Sequence, residues 1–588
     1  MAVALLAAAL SACASPAAQP GSQTAALRRP HILVIVADDQ GWGDLSLHGN
    51  PSVSTPHIDS LARAGAQFER FYVSSVCSPT RAELLTGRYH PRGGVTGTSA
   101  GAERLDLDER TMAEIFKAAG YATGLFGKWH SGTQSPYHPN ARGFDEFYGF
   151  TSGHWAHYFE PVLDHNGERV TGRGYLPDDL TDRAMAFMSA RRDRPVFAVL
   201  SYNTPHSPMQ VPDAYWARMQ NRQLPPHRYR DEEDEPHTRA ALAMVENLDD
   251  NVGRLLQMLD REQLARDTVV VYLSDNGPNG WRWNGDMKGR KGTLDEGGLR
   301  SPLFVRWPGR IQAGRRVTPI ASTVDLLPTF AELADVPLPG DRPLDGRSLA
   351  PLLRGDVAPW PDRTIVSFGI SGRQVSVRTQ RYRLDPSGLL FDIDADPGQR
   401  RDVATEHPDV VAALTAEGAR VAADVGYGGP PADRPFPVGH AARTSLPARD
   451  GAPHGGVTRS SRHPNDSYFV TWTSTEGAVT WDVDVLRAAD YEVEAFYAVP
   501  ARDAGATVRL AFREASVTAR INEAHDPPLI GPDDDRAPRT ESPTKEFRSL
   551  TLGTIRLAAG RGALRMTAPA IPGRQAWELA GLQLTRAR

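Results

Sequence analysis

From Arg29 to about Pro351, short β-rich runs alternate with segments whose apolar residues recur at helical spacing. The candidate strands are His31–Val36, Ala122–Phe126, Val196–Leu200, Val269–Leu273 and Leu303–Arg306. The run Ile32-Leu33-Val34-Ile35-Val36 has no polar position, which suits a strand covered on both faces of a parallel sheet. The candidate helices include His57–Ala64, Thr111–Ala118, Leu180–Arg191, Ala240–Leu259 and Val324–Leu333. Strand–helix alternation of this kind predicts a doubly wound α/β domain with a mixed or parallel sheet, over residues 28–355.

The pattern then changes twice. Residues 356–427 hold short runs at Thr364–Phe368, Gln374–Arg378, Tyr382–Leu384 and Leu389–Asp392, followed by a helix near His407–Gly418. This predicts a small α+β subdomain with an antiparallel sheet. Residues 428–462 are rich in Gly, Pro, Arg and Ser and read as a linker. Residues 463–588 carry β-branched and aromatic runs separated by turn residues: Tyr468–Trp472, Ala478–Val485, Tyr491–Tyr497, Thr507–Phe512, Thr551–Leu557 and Gly562–Thr567. They predict a β-sandwich, similar in pattern to the jelly-roll domains appended to carbohydrate-active enzymes. Two roles fit it: holding sugar, or packing on the larger domain and shaping its cleft.

Composition changes this picture only in part. Forty per cent hydrophobic and 23% charged residues describe an ordinary globular chain of 588 residues. A net charge of −5 offers no basic footprint for nucleic acid, so an anionic ligand needs a local cationic cluster. The two cysteines, Cys13 and Cys77, provide no disulfide framework. Met1–Leu10 is an apolar run and Leu10-Ser11-Ala12-Cys13 resembles a bacterial lipobox, although no Lys or Arg precedes it. Residues 1–27 are therefore expected to be a signal peptide and lipoprotein tether. Lipidation at Cys13 would place the protein in the periplasm or on the outer membrane of a bacterium.

The chemistry collects where the strands end. Ligands of open parallel sheets bind beyond the carboxyl ends of the strands. His31–Val36 leads into Ala37-Asp38-Asp39-Gln40, and Ala122–Phe126 into Gly127-Lys128-Trp129-His130. Val196–Leu200 leads to Asn203-Thr204-Pro205-His206, and Val269–Leu273 to Ser274-Asp275-Asn276-Gly277. Asp38, Asp39, Asp275 and Asn276 offer hard oxygen ligands, a set for Ca2+ or Mg2+ rather than zinc. The run Cys77-Ser78-Pro79-Thr80-Arg81 reads as a helix start, with a capping-type residue, Pro at the first helical position and Gly87 past the end. A side chain at Cys77 then meets unpaired N–H groups that favour anions, and Arg81 lies one turn on, along the same face.

These same stretches resemble the type I, formylglycine-dependent sulfatases of the alkaline-phosphatase-like superfamily. Cys77-Ser78-Pro79-Thr80-Arg81 matches the Cys-x-Pro-x-Arg signature. Ala37–Gly41, Thr55–Asp59, Thr86-Gly87-Arg88, Gly127–His130, Thr204-Pro205-His206, Ser274–Gly277 and Gly289–Pro302 follow the family in order, so the resemblance covers Arg29 to roughly Asp402.

The resemblance implies that Cys77 is oxidised to formylglycine (3-oxoalanine) by a formylglycine-generating enzyme. It implies a hydrate that binds the cation with one oxygen and attacks sulfur with it, with Asp38, Asp39, Asp275 and Asn276 completing the metal shell. Arg81 would orient the hydrate, and Lys128 and Lys291 would hold sulfate oxygens. His206, with Lys291, would protonate the leaving alkoxide, and His130 would take the proton that releases sulfate.

The aromatic and polar stretches Gly153–Tyr158 and Trp281–Asn284 flank these motifs. Their side chains suit either a sugar platform or loop packing. The residues expected at substrate are His154, Trp155, His157, Asn203, Arg282 and Trp283. With the export reading, they point to a sulfated polysaccharide or oligosaccharide. A phosphonate or phosphate ester hydrolase of the same superfamily is one alternative, and a non-catalytic glycan-binding lipoprotein another.

Overall fold

The computed structural model describes residues 29–356, 359–370, 372–429 and 433–587. The expected signal segment and Cys13 lie outside the described residues. Among those described, no helix is long and apolar enough to cross a membrane.

The elements that matter for the site are β1 (His31–Ala37), α1 (Cys77–Thr86), β2 (Ala122–Lys128), β3 (Glu146–Phe150), β4 (Val196–Ser201), α2 (Glu235–Arg261), β5 (Thr268–Ser274) and β6 (Leu303–Arg306). They belong to a ten-stranded sheet whose centre runs β6-β5-β1-β4-β2-β3. The inner pairs are parallel, while β6 runs antiparallel to β5, so the sheet is mixed.

The apolar run of β1 is explained by its two covered faces. Leu33, Ile35 and Ala37 join one core with α2 and the helix Leu176–Ala190. Ile32, Val34 and Val36 join a second core with α1 and the helices Met112–Ala118 and Leu326–Leu333. Alternate side chains of a strand point to opposite faces, so a strand between two helical layers has no position left for a polar group. All ten residues of α1 are buried. It is therefore a core helix, and Gly87 ends it in the left-handed conformation at φ 67°.

Residues 365–392 form a four-stranded antiparallel sheet, against which Pro408–Asp424 packs. Two six-stranded sheets follow, closed over a core that includes Trp472, Trp481 and Trp577. The expected linker at 428–462 is a correction. Phe436–Val438 pairs with Ala478–Val485, and Arg443–Pro447 pairs with Glu578–Arg586. The sandwich thus takes its first strands from that segment. Short strands punctuated by Gly and Pro have the composition of a loop, and only their distant partners distinguish them.

Candidate active site

Four strand ends and one helix start converge. Asp38 and Asp39 follow β1, Lys128 ends β2 with His130 two residues on, His206 follows β4, and Asp275 and Asn276 follow β5. The helix α1 begins at Cys77 itself. Val76 is its N-cap and Pro79 its third residue, which shifts the expected start by two positions. Proline fits there because the first-turn N–H groups have no partner within the helix. The Thr80 hydroxyl donates to the carbonyl of Asp275 at 2.6 Å, and that bond fixes the helix start against the end of β5.

The charged groups are paired, and all but Lys291, which reaches the cleft, are buried. Arg81 Nη2 donates to Asp275 Oδ2 at 2.7 Å, Lys128 Nζ lies 2.7 Å from Asp38, and Lys291 Nζ lies 2.6 Å from Asp39. Three acids therefore face three permanent cations, and the chain's own formal charge at the site is close to zero. Burial pushes the Asp38 carboxyl well up despite Lys128. Burial would also raise Asp39, but Lys291, His206 and Lys128 outweigh it and hold Asp39 below the usual carboxylate range. The Lys291 ammonium is held above its ordinary value: burial opposes the charge, and Asp39, Cys77 and Asp38 more than offset it.

The histidines are set up differently. His206 Nδ1 lies 2.7 Å from the carbonyl of Ser207, which requires Nδ1–H as donor and turns Nε2 toward Asp39 Oδ2, 3.7 Å away. Burial, with Lys291 and Lys128, pushes His206 down to about 3, so the ring is neutral at pH 7. His130 is likewise held neutral by burial and Lys128, and its Nε2 bonds the carbonyl of Thr98 at 2.8 Å.

Backbone strain gathers at the same place. Asp39 and His130 adopt φ of 67° and 61°, a region that costs a non-glycine residue energy. In β2, Gly127 sits at φ 110°, and a Cβ there would lie 1.8 Å from the Ser201 carbonyl.

Whether this pocket fits a divalent cation can be judged from its unpaired oxygens. Asp38 Oδ1 and Asn276 Oδ1 are buried without a hydrogen-bond partner among the described residues. Asp38, Cys77 and Asp275 bring donor atoms within 4.8 Å of one another, as do Asp38, Asp39 and His206. Buried, unpartnered, hard oxygen atoms on converging carboxylates fit Ca2+ or Mg2+.

A cleft of about 670 Å³ opens over Cys77, with His130, His154, His206 and Lys291 on its wall. The other residues expected at substrate take different places. Trp155 stacks on Phe150 at 5.1 Å and packs on the core. His157 turns to Asp534 of the sandwich, 3.8 Å away. Asn203 is buried and outside the cleft lining. Arg282 grips Asp44 at 2.7 Å and donates to the carbonyl of Asp39, so it braces the strained turn rather than facing ligand. Trp283 also lies outside the lining. From that loop Trp281 reaches the cleft, its ring stacked on Tyr229 and covered by Arg290.

Sequence reasoning missed a whole wall. Arg462, His463, Asn465, Arg539, Thr540 and Glu541 line the cleft, and all come from the β-sandwich region. Their carriers are stitched to the catalytic domain. Asn465 donates to the carbonyl of Thr98, the acceptor shared with His130, and Asp466 accepts from the amide of Ala156 at 2.7 Å. Gln210 donates to Gly531 and Asp535, and Arg539 donates to the carbonyl of Ala156. The sandwich therefore shapes the cleft.

A mixed α/β sheet with acids, lysines and a helix-start cysteine at its carboxyl edge defines a site for an anionic ligand. Comparison with known proteins places it further. The family model Sulfatase matches residues 30–336, and the model N-sulphoglucosamine sulphohydrolase, C-terminal, matches residues 290–417. The chain is 31% identical over 535 residues to the steryl-sulfatase of Mus musculus, covering 68% of this chain and 83% of that one. It is 33% identical over 462 residues to human arylsulfatase A, covering 66% and 87%. Among solved structures, Ps i-CgsB in complex with k-i-k-neocarrahexaose aligns with a TM-score of 0.61 at 30% identity, over 68% of this chain and 93% of that one. The chain belongs to the sulfatase family, and it is an enzyme of the sulfuric ester hydrolase class.

Proposed function

We propose that this sulfatase removes O-sulfate from a carbohydrate, using formylglycine made from Cys77 and a divalent cation held by Asp38, Asp39, Asp275 and Asn276. The observation that carries the reading is the cleft itself: cations and neutral histidines surround Cys77 at its base, and polar residues of two domains line its mouth. Two relatives support the substrate class. Human N-acetylgalactosamine-6-sulfatase is 32% identical over 368 residues, and Ps i-CgsB is solved with an oligosaccharide.

When bound, the cation supplies Lewis-acid polarisation and lowers the pKa of an attached hydroxyl. The remaining work falls to the chain's own side chains. Lys291, which lines the cleft beside Cys77, and Lys128, buried against Asp38, would hold the sulfate oxygens as prepositioned cations. Arg81 is held by Asp275, by the Lys128 carbonyl and by Ser201, so its guanidinium is fixed before substrate arrives.

A sugar alkoxide is a poor leaving group and needs a proton. In the resting site Lys291 carries that proton, since His206 is neutral with its hydrogen on Nδ1. His206 Nε2, which carries no hydrogen, can then accept a hydrogen bond and orient the group that receives that proton. His130, neutral and anchored on Thr98, is suited to accept a proton on the opposite wall.

Mass spectrometry of the Cys77 peptide, from protein made with a formylglycine-generating enzyme, is expected to show the aldehyde or its hydrate. A panel of sulfated glycans is expected to release sulfate. Brisk hydrolysis of 4-nitrophenyl sulfate with no release from any glycan would overturn the carbohydrate reading.

A further inference from the structure

The arm that brings Glu541 to the cleft is an excursion of the sandwich between Ala515–Arg520 and Arg548–Leu557. It is pinched at its base, where Leu529–Ile530 pairs with Thr544–Lys545. Its tip is bound to the segment just past β4. The amide of Arg536 donates to the carbonyl of Met209, and Gln210 donates to Gly531 and Asp535. These anchors set Glu541 beside His206: Ser207 Oγ donates to Glu541 Oε1 at 2.7 Å. Ser207 also ties in His154, whose Nδ1 lies 3.1 Å from the Ser207 carbonyl and whose ring centre is 5.8 Å from that of His206. Both histidines feel the Glu541 charge.

Two features make this corner look built for a ligand. His154 is 4% exposed, its Nδ1 is taken by the Ser207 carbonyl, and its Nε2 has no partner among the described residues. A buried, unpartnered nitrogen on the wall of an open cleft calls for a group from outside the chain. Glu541 is half-buried, and Ser207 occupies only one of its two oxygens strongly. Deeper in, Lys128 and Lys291 provide for sulfate. Here a carboxylate and an imidazole offer an acceptor and a neutral partner.

We propose that Glu541 and His154 form the subsite for the sugar ring at the scissile bond, and that they select free hydroxyls next to the sulfated carbon. A carboxylate accepts hydrogen bonds from a pair of hydroxyls and repels a second sulfate or a carboxylate at that position. The β-sandwich thereby writes the specificity of a reaction whose catalytic groups all sit in the other domain. The inference rests on the carbohydrate reading and adds to it the kind of ring: one flanked by hydroxyls, with a single sulfate at the site of cleavage.

The test compares full-length wild type with Glu541→Gln and Glu541→Asp, all with converted Cys77. The probes are galactose 6-sulfate, galactose 4-sulfate, glucosamine 6-sulfate, a galactoside sulfated on two neighbouring carbons, and 4-nitrophenyl sulfate. Glutamine still accepts the Ser207 bond, so the arm stays tethered while the charge is removed, and unchanged thermal unfolding checks this.

For Glu541→Gln, the ratio of kcat/KM on the best monosulfated sugar to that on the aryl ester is expected to fall about tenfold, chiefly through KM. The relative rate on the disulfated sugar is expected to rise. Glu541→Asp keeps the charge and is expected to retain more of the ratio.

Equal losses on sugar and aryl esters, or an unchanged ratio, would overturn the subsite while leaving the carbohydrate reading standing. Wild type that hydrolyses the aryl ester but no sugar sulfate would remove that reading, and the subsite with it.

Discussion

Replacing Lys128 by methionine is the sharpest way to disturb the charge balance at the base of the cleft. The two side chains of the Lys128–Asp38 pair are 0% and 1% exposed, and their N···O distance is 2.7 Å. Methionine fills similar space without the charge, so the loss is electrostatic. Three carboxylates would then face two cations, and Asp38, already pushed up by burial, would lose its principal counter-charge. Removing one partner of a buried pair costs about 3–5 kcal/mol. In chelator, the thermal unfolding of Lys128→Met is therefore expected well below that of wild type. Calcium should recover much of the difference, because a divalent cation replaces the missing charge, and the increment from calcium should exceed that in wild type. Turnover with calcium present should still be down by about 10²–10³, since a preorganised contact to sulfate is gone. Differential scanning calorimetry in chelator and in calcium, with kcat/KM on one sulfate ester, measures all three. Equal unfolding temperatures in chelator, or the same calcium increment in both proteins, would refute the charge-balance reasoning.

Other expectations follow from single residues. Glu83 lies buried on the same helix as Cys77, and burial pushes its carboxyl up to about 8 from the usual 4.5. Its folded value lies above its unfolded one, so its contribution is fully present below about pH 4.5 and is lost as pH rises toward 8. Glu83→Gln should match wild type at pH values below about 4.5 and be the more stable at pH 8, by an amount on the order of a few kcal/mol in urea titrations. Gly127→Ala should destabilise by about 3 kcal/mol or more, through strain at positive φ and the clash with the Ser201 carbonyl; a melting temperature within a degree of wild type would contradict this. Cys77→Ala should abolish sulfate release while leaving the unfolding transition in place. Matched sulfate and phosphate monoesters should differ in kcat/KM in favour of sulfate.

What could be read from the sequence divides along a physical line. The strands of the sheet centre were legible because burial on both faces leaves continuous apolar runs, as in Ile32–Val36. The site residues were legible because a parallel sheet delivers its strand ends to one edge, so Asp38, Lys128, His206 and Asp275 could be placed together without a structure. The start of α1 was displaced by two residues, since no side chain caps it and its position is set by the contact of Thr80 with Asp275.

Pairing at a distance was not legible. Arg282 and Trp283 have the composition of a ligand loop, and nothing local says that Arg282 turns inward to Asp44. Glu541 lies 334 positions from the Ser207 hydroxyl it accepts from, in a run of Asp, Pro and Arg that reads as a solvated turn. The strands inside 436–459 were hidden for the same reason: their partners lie up to about 140 residues later in the chain.

The central claim is that Cys77, once oxidised, makes this cleft a carbohydrate sulfatase. The measurement that addresses it most directly is sulfate release from the monosulfated sugar panel, by protein batches in which the converted fraction of the Cys77 peptide is graded and read by mass spectrometry. The account predicts release in proportion to conversion, extrapolating to nearly none for the pure thiol. Turnover that does not depend on conversion, or fully converted protein that releases no sulfate from any sugar, would contradict it.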